Sequence, residues 1–170
     1  SPYRATGDYT MVTGMIGRRC VTSLNGKTAL DVLARKYKCP VHFLQRGDLS
    51  LASPLSPFGI PNRFGDLTVI CHLQYGNPDG SFFIGTPLSE GMSVAGMECS
   101  AEDIVEGCGR ELAVLRDKMD GQAGAYHLSI NYTWKITADD LFGELVDNIR
   151  EAAGGVPFIC GLTNGEHGFV

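Results

Sequence analysis

The spacing of apolar and polar positions changes several times along the chain, and each change marks an element. In residues 9–24, Met11, Thr13 and Met15 alternate, then Cys20, Thr22 and Leu24, with Gly17 near the break, which predicts two strands. Asn25-Gly26 supplies a turn. Thr28-x-x-Asp31 resembles a capping box with Asp in place of Glu, and Ala29, Leu30, Leu33 and Tyr37 follow at helical spacing until Cys39-Pro40 stops the helix. Residues 45–66 hold Pro54, Pro57, Pro61, Gly47, Gly59 and Gly65 and show no period, so a long loop is expected there, of the kind that often carries function.

Leu67, Val69, Cys71, Leu73 and Tyr75 alternate as one strand. Asn77-Pro78-Asp79-Gly80 turns the chain back into a hairpin partner over residues 81–84, and Glu90-Gly91 turns it into a strand over residues 92–98. Ser100-x-x-Asp103 opens a second helix whose stripe is Ile104, Cys108, Leu112 and Leu115, extended by Met119. Tyr126, Leu128, Ile130 and Tyr132 alternate as a strand. Thr137-x-x-Asp140 opens a third helix, striped by Leu141, Leu145 and Ile149 and stopped by Gly154-Gly155. Residues 156–160 form a short apolar strand, and 161–170 a final hairpin-like segment.

This order predicts an α+β domain: a mostly antiparallel or mixed sheet with about three helices packed on it. The 170 residues fit one domain over 1–170, with residues 1–8 expected to be disordered or foreign to the natural chain. The start Ser1-Pro2-Tyr3-Arg4 has no initiator Met and no signal-peptide pattern, so a piece cut from a longer protein is expected. A chain of this length buries roughly 70% of its unfolded surface and can hold a core without staples. Hydrophobic residues at 44% and charged ones at 19% exclude a disordered chain.

A net charge of -5, with no basic run longer than Arg18-Arg19, argues against nucleic acid and anionic membrane as partners. No apolar stretch approaches the roughly 18 residues of a membrane-crossing helix. Six cysteines spread evenly, without C-x-x-C pairs, point to reduced thiols and a cytoplasmic location.

Each near-motif for chemistry fails on spacing or context. The histidines His42, His72, His127 and His167 form no H-x-x-x-H or H-E-x-x-H pattern, so no metal site is expected. Gly91-Met92-Ser93-Val94-Ala95-Gly96 misses the nucleophile elbow by one residue and reads as a strand after a turn. Gly26-Lys27-Thr28 lacks the upstream glycine of a phosphate loop, and Gly107-Cys108-Gly109 lies inside a helix. No catalytic residue is assigned and no enzyme is expected. The Gly-rich end, Gly161-Leu162-Thr163-Asn164-Gly165-Glu166-His167-Gly168, allows close backbone approach to a ligand and adds charge and a titratable ring.

Several runs resemble the FIST C-terminal domain, the second half of a sensory module of F-box and intracellular signal transduction proteins. Leu24-Asn25-Gly26-Lys27-Thr28-Ala29-Leu30-Asp31-Val32 is similar to its opening, and Ser56-Pro57-Phe58-Gly59-Ile60 to its "P-L-G-I" segment. Asp79-Gly80-Ser81-Phe82 with Pro87-Leu88-Ser89-Glu90-Gly91 looks like "D-G-S-L … V-P-E-G". Val156-Pro157-Phe158-Ile159-Cys160-Gly161 and Asn164-Gly165-Glu166-His167-Gly168 resemble the closing segments. Where similar proteins end a strand in "C-x-G-R", this chain has His127-Leu128-Ser129-Ile130-Asn131-Tyr132-Thr133-Trp134.

The resemblance implies a non-catalytic sensory domain that binds a small molecule, with a FIST N-terminal domain in the parent chain. It also implies two alternatives. One is a substrate-recruiting module behind an F-box, with Leu49, Leu51, Leu55 and Phe58 as exposed loop apolars for a protein partner. The other is a haem-based gas sensor; no cofactor is otherwise expected. A pocket is expected between the Pro-rich loop and the Gly-rich end. Its expected contacts are Asn164, Glu166 and His167, with Asn131 and Tyr132 as further liners.

Overall fold

The computed structural model describes residues 2–50, 53–61, 68–120, 122–131 and 139–163, the backbone alone at 130, 131, 162 and 163. The chain divides into two compact units, Ala5–Glu98 and Ser1–Arg4 with Cys99–Val170. The α+β expectation holds, and the described residues form ten strands and four helices.

In the first unit the strands are β1 (Arg4–Ile16), β2 (Cys20–Leu24), β3 (Lys27–Thr28), β4 (Phe58–Pro61), β5 (Thr68–Cys71), β6 (Leu73–Gly76), β7 (Phe82–Ile84) and β8 (Ser93–Glu98). They join in the order β5-β4-β8-β1-β2-β7-β6, with β3 added beside β2. The pairs with a defined register are antiparallel. The two ends of this path, β5 and β6, are separated in the chain only by His72. The sheet therefore curls back on itself, which shields the edges a flat sheet would leave open.

Turn chemistry sets the registers. Asn25 and Gly26 both take positive φ, 50° and 72°, so a two-residue loop joins β2 to β3 with the twist a hairpin needs. At the β6–β7 turn the Asp79 carboxylate accepts from the Ser81 backbone N–H at 2.9 Å and from its hydroxyl at 2.6 Å. Gly80 has φ +89°, and a Cβ there would run into the Thr28 methyl. The Gly80 carbonyl also accepts from Leu30 N–H at 2.9 Å. Helix α1 (Ala29–Lys36) thus has a first-turn donor satisfied by the neighbouring turn. That replaces the capping box expected at Thr28, whose side chain makes no cap hydrogen bond. The helix closes with Lys38 at φ 52° and Cys39 N–H on the Ala34 carbonyl, a Schellman arrangement without glycine. Pro40 then leads into a one-turn helix α2 (Val41–Leu44).

Three readings of the strand pattern are corrected here. β1 begins at Arg4, within the segment expected to be disordered, and its inward residue is Val12, fully buried, while Met11 is 51% exposed. Register irregularities between Val12 and Met15 shift the alternation, which the Met-Thr-Met spacing hid. The single strand expected over 67–75 breaks at His72: Cys71 and Leu73 are both buried, and Val69 and Tyr75 both exposed. The segment 45–66 contains β4, which sits inside the sheet between β5 and β8. Gly59 is why a strand fits there, since a Cβ would lie 2.8 Å from Met97 Sδ. Leu49 and Phe58, expected on a loop surface for a protein partner, are 1% and 2% exposed and belong to the core with Val12, Leu33, Phe82 and Val94. Leu55 is half-buried, and Leu51 lies outside the described residues.

The second unit packs helices on a small sheet. Helix α3 (Ala101–Lys118) opens with the expected capping box: Ser100 Oγ accepts from Asp103 N–H at 3.0 Å, and Asp103 accepts from Ser100 N–H at 2.8 Å. Arg4 adds a 3.1 Å contact to the same carboxylate. Ile104, Val105 and Leu112 are buried, but Leu115 and Met119 are 46% and 40% exposed. The inward place in the last turn goes instead to Arg116, which donates to the Ala152 carbonyl at 2.9 Å. A 3-10 turn (Asp139–Leu141) leads into α4 (Phe142–Ala153), which buries Leu145, Ile149 and Ala153 and ends at Gly154 with φ 61°. Thr137, expected to cap this helix, lies outside the described residues.

Ser100→Ala is expected to cost about 1 kcal/mol, read as a lower urea midpoint, because the Asp103 N–H at the helix end loses its acceptor. The Asp103 carboxyl is held below its ordinary range, chiefly by the hydrogen bond from the Ser100 backbone. A depressed carboxyl pKa adds stability that is present above the unfolded value near pH ~3.9 and is lost as pH falls through the folded one. The stability that Asp103 adds should therefore be lost in acid in Ser100→Ala as well as in the parent, since the backbone N–H at position 100 survives the substitution.

Candidate functional site

Strands β9 (Tyr126–Asn131) and β10 (Phe158–Thr163) run parallel and in register, from Phe158 opposite Tyr126 to Thr163 opposite Asn131. The connection between them carries α4, so this is a β-α-β unit. Residues 161–163, expected in a final hairpin, continue β10 instead. Tyr126 is buried on the helix side with Leu112, Leu145 and Ile149, while His127 and Ile159 face outward. The alternation follows from the two-residue repeat of a strand.

The register has a consequence for the sequence-predicted residues. Asn131 and Thr163 are the carboxyl-terminal residues of their strands and lie opposite each other. Of the candidate liners, Asn131 alone has a described backbone, at the end of β9. Tyr132, Asn164, Glu166 and His167 themselves lie outside the described residues, as does the side chain of Asn131. The carboxyl ends of parallel strands are where α/β units generally present ligand sites.

A concavity of about 540 Å³ lies between α3 and α4, lined by Glu106, Arg110, Arg116, Asn148 and Glu151 together with small residues such as Gly109 and Ala113. At Gly109 α3 and α4 come close: an added Cβ would reach van der Waals contact, 3.4 Å, with the Asn148 backbone carbonyl oxygen. Its cations are largely spoken for, Arg110 by Glu106 at 3.4 Å and Arg116 by the Ala152 carbonyl and Asp117.

The remaining candidate chemistry is dispersed. His42 is exposed on α2 beside Phe43, and His72 Nδ1 lies 3.4 Å from the buried Ser53 hydroxyl. His127 is exposed on β9, and His167 is outside the described residues. Among the described residues no three His, Cys, Asp or Glu side chains gather as a metal site would need. All six cysteines are free. Burial pushes the thiols of Cys71 and Cys160 up, and those of Cys99 and Cys108 up to about 11. A raised thiol pKa depletes the thiolate that nucleophilic chemistry needs.

Most motif residues of the first unit act in the fold. Asn25 accepts from Met11 N–H at 2.8 Å, Glu90 accepts from Met15 N–H at 2.9 Å, and Gly59 and Gly80 permit the close approaches described above. The family model of the FIST C domain matches residues 29–168. The chain belongs to the FIST C domain family. This family is associated with signal transduction. No curated protein and no solved structure matches the chain. Among the described residues of this FIST C domain, no helix is long and apolar enough to cross a membrane.

Lys36 belongs to no motif. Lys36 is spaced three residues after Leu33 and seven after Ala29, both buried, so the helical period alone sets its stem on the apolar side of α1. That spacing was the available signal.

Proposed function

We propose that this FIST C domain is a non-catalytic sensory domain of a cytoplasmic signalling protein, binding a small polar molecule at the carboxyl ends of β9 and β10. The observation that supports the reading is the in-register parallel pair, in which Asn131 and Thr163, the last residues of β9 and β10, lie opposite each other. Asn164 and Glu166 are the proposed polar contacts, with His167 beside them and Asn131 and Tyr132 lining. The upward-shifted thiols favour binding over cysteine chemistry. Free cysteines accord with a reducing compartment. A FIST N-terminal domain is the proposed neighbour in the parent chain.

The test is a thermal-shift panel of amino acids and other small polar metabolites on the full chain. A ligand at a hundredfold excess over Kd adds about 2.7 kcal/mol of stability. The shift should vanish in Asn164→Ala and Glu166→Gln and persist in Ala113→Phe, which fills the α3–α4 concavity. Loss in Ala113→Phe alone would move the site to that concavity. A panel without any shift, repeated with the N-terminal domain attached, would sink the sensory reading.

A further inference from the structure

Lys36 occupies an unusual place for an amine. It is half-buried at the end of α1. Its Nζ lies 5.1 Å from the centre of the Phe58 ring and 5.9 Å from that of Tyr37. It makes one long hydrogen bond, 3.4 Å, to the Pro57 carbonyl. It also approaches β8 closely where Gly96 has no side chain, since a Cβ there would be 3.6 Å from Nζ and 2.8 Å from Thr6 Oγ. Asp8 on β1 and Glu98 on β8 attract the ammonium, yet among the described residues neither forms an ion pair with it. Four elements, α1, β1, β4 and β8, thus converge on one poorly solvated amine with N–H groups to spare.

We propose that Lys36 is a covalent docking point for small aldehydes, its amine forming an imine held against the rings of Tyr37 and Phe58. The neutral amine attacks the carbonyl carbon, the C–N bond forms, and the carbonyl oxygen leaves as water with two protons from nitrogen. Starting from the ammonium, the product is an iminium and one water, so charge is conserved and no further reactant is consumed. Retention of the positive charge selects this chemistry. The ring faces and the two carboxylates that attract the ammonium attract the iminium equally. An acetyl group would erase that charge, and a carbamate would reverse it beside Asp8 and Glu98. Desolvation by burial is the main influence on the amine and lowers its pKa, with Asp8 and then Glu98 pulling the other way. A larger neutral fraction is what an amine nucleophile needs. This inference does not depend on the ligand site proposed above.

The experiment treats the full chain with benzaldehyde and cyanoborohydride at pH 7 and maps benzylated lysines by peptide mass spectrometry. Lys36 should be labelled several-fold faster than Lys38, which is exposed two residues further on. The preference should disappear in urea. Asp8→Asn should raise the rate at Lys36, because it removes an attraction that holds the proton, and the pH–rate curve should move to lower pH. Labelling of Lys36 no faster than of Lys38, or a rate unmoved by Asp8→Asn in a folded variant, would overturn the proposal.

Discussion

Gly76→Ala should lower the stability of the first unit by roughly 3 kcal/mol or more, at or beyond the upper end for overpacked sites. Gly76 ends β6 and pairs with Phe82 of β7. A Cβ on it would overlap the Leu44 carbonyl oxygen of α2 and approach the Leu44 carbonyl carbon to 3.0 Å. Backbone cannot rotate away as a side chain can, and here it is tied on both sides: Gly76 N–H donates to Gly47 at 3.0 Å, and Arg46 N–H donates to Gly76 at 2.9 Å. Relief therefore requires breaking those bonds or displacing α2. The measurement is the urea midpoint at unchanged slope. Gly143→Ala is the counterpart. Gly143 is the second residue of α4, with nothing within 4 Å of the added Cβ, so a small gain of roughly 0.5 kcal/mol or less, below the interior value, is expected from helix propensity. A neutral Gly76→Ala would show that α2 does not pack where the geometry places it.

The contrast between these glycines explains what the chain revealed in advance. Local signals were legible. Asn25-Gly26, the Asn77 turn, the Ser100 capping box and the Gly154 stop act through neighbours a few residues away, so spacing alone exposes them. What distance in sequence decides was hidden. β4 looks like loop because Pro57, Gly59 and Pro61 weaken its strand signal, and it forms because β5 and β8 pair with it. Thr28 looks like a cap because nothing local reveals that the Gly80 carbonyl, fifty-two residues on, takes over that role. The same holds for the strands before the Gly-rich end. Their alternation was visible, but the parallel register that sets Asn131 opposite Thr163 depends on α4 bridging β9 and β10. Lys36 leaves no motif in the sequence, because its chemistry comes from burial among α1, β1, β4 and β8 rather than from its neighbours in the chain.

Phe82→Ala should cost about 3–5 kcal/mol, the range for emptying a fully buried aromatic site. Phe82 is 0% exposed at the centre of the first unit's core and pairs with Val21 on one side and Gly76 on the other. Gly76 offers no side chain to fall into the void, and Val21, itself fully buried, is held by the β1–β2 ladder, so collapse around the cavity is limited. Phe83, one residue on, points to the opposite face, where its ring stacks on exposed Tyr75 with centroids 4.7 Å apart. Phe83→Ala should therefore cost only about 1 kcal/mol, the scale of an aromatic pair on a partly solvated surface. The two substitutions remove the same atoms from adjacent positions, so composition and propensity cancel and the ratio of their effects reads the facing of β7 alone. Equal losses, or a larger one at Phe83, would mean that β7 is turned over and that the registers it shares with β2 and β6 are each displaced by one residue.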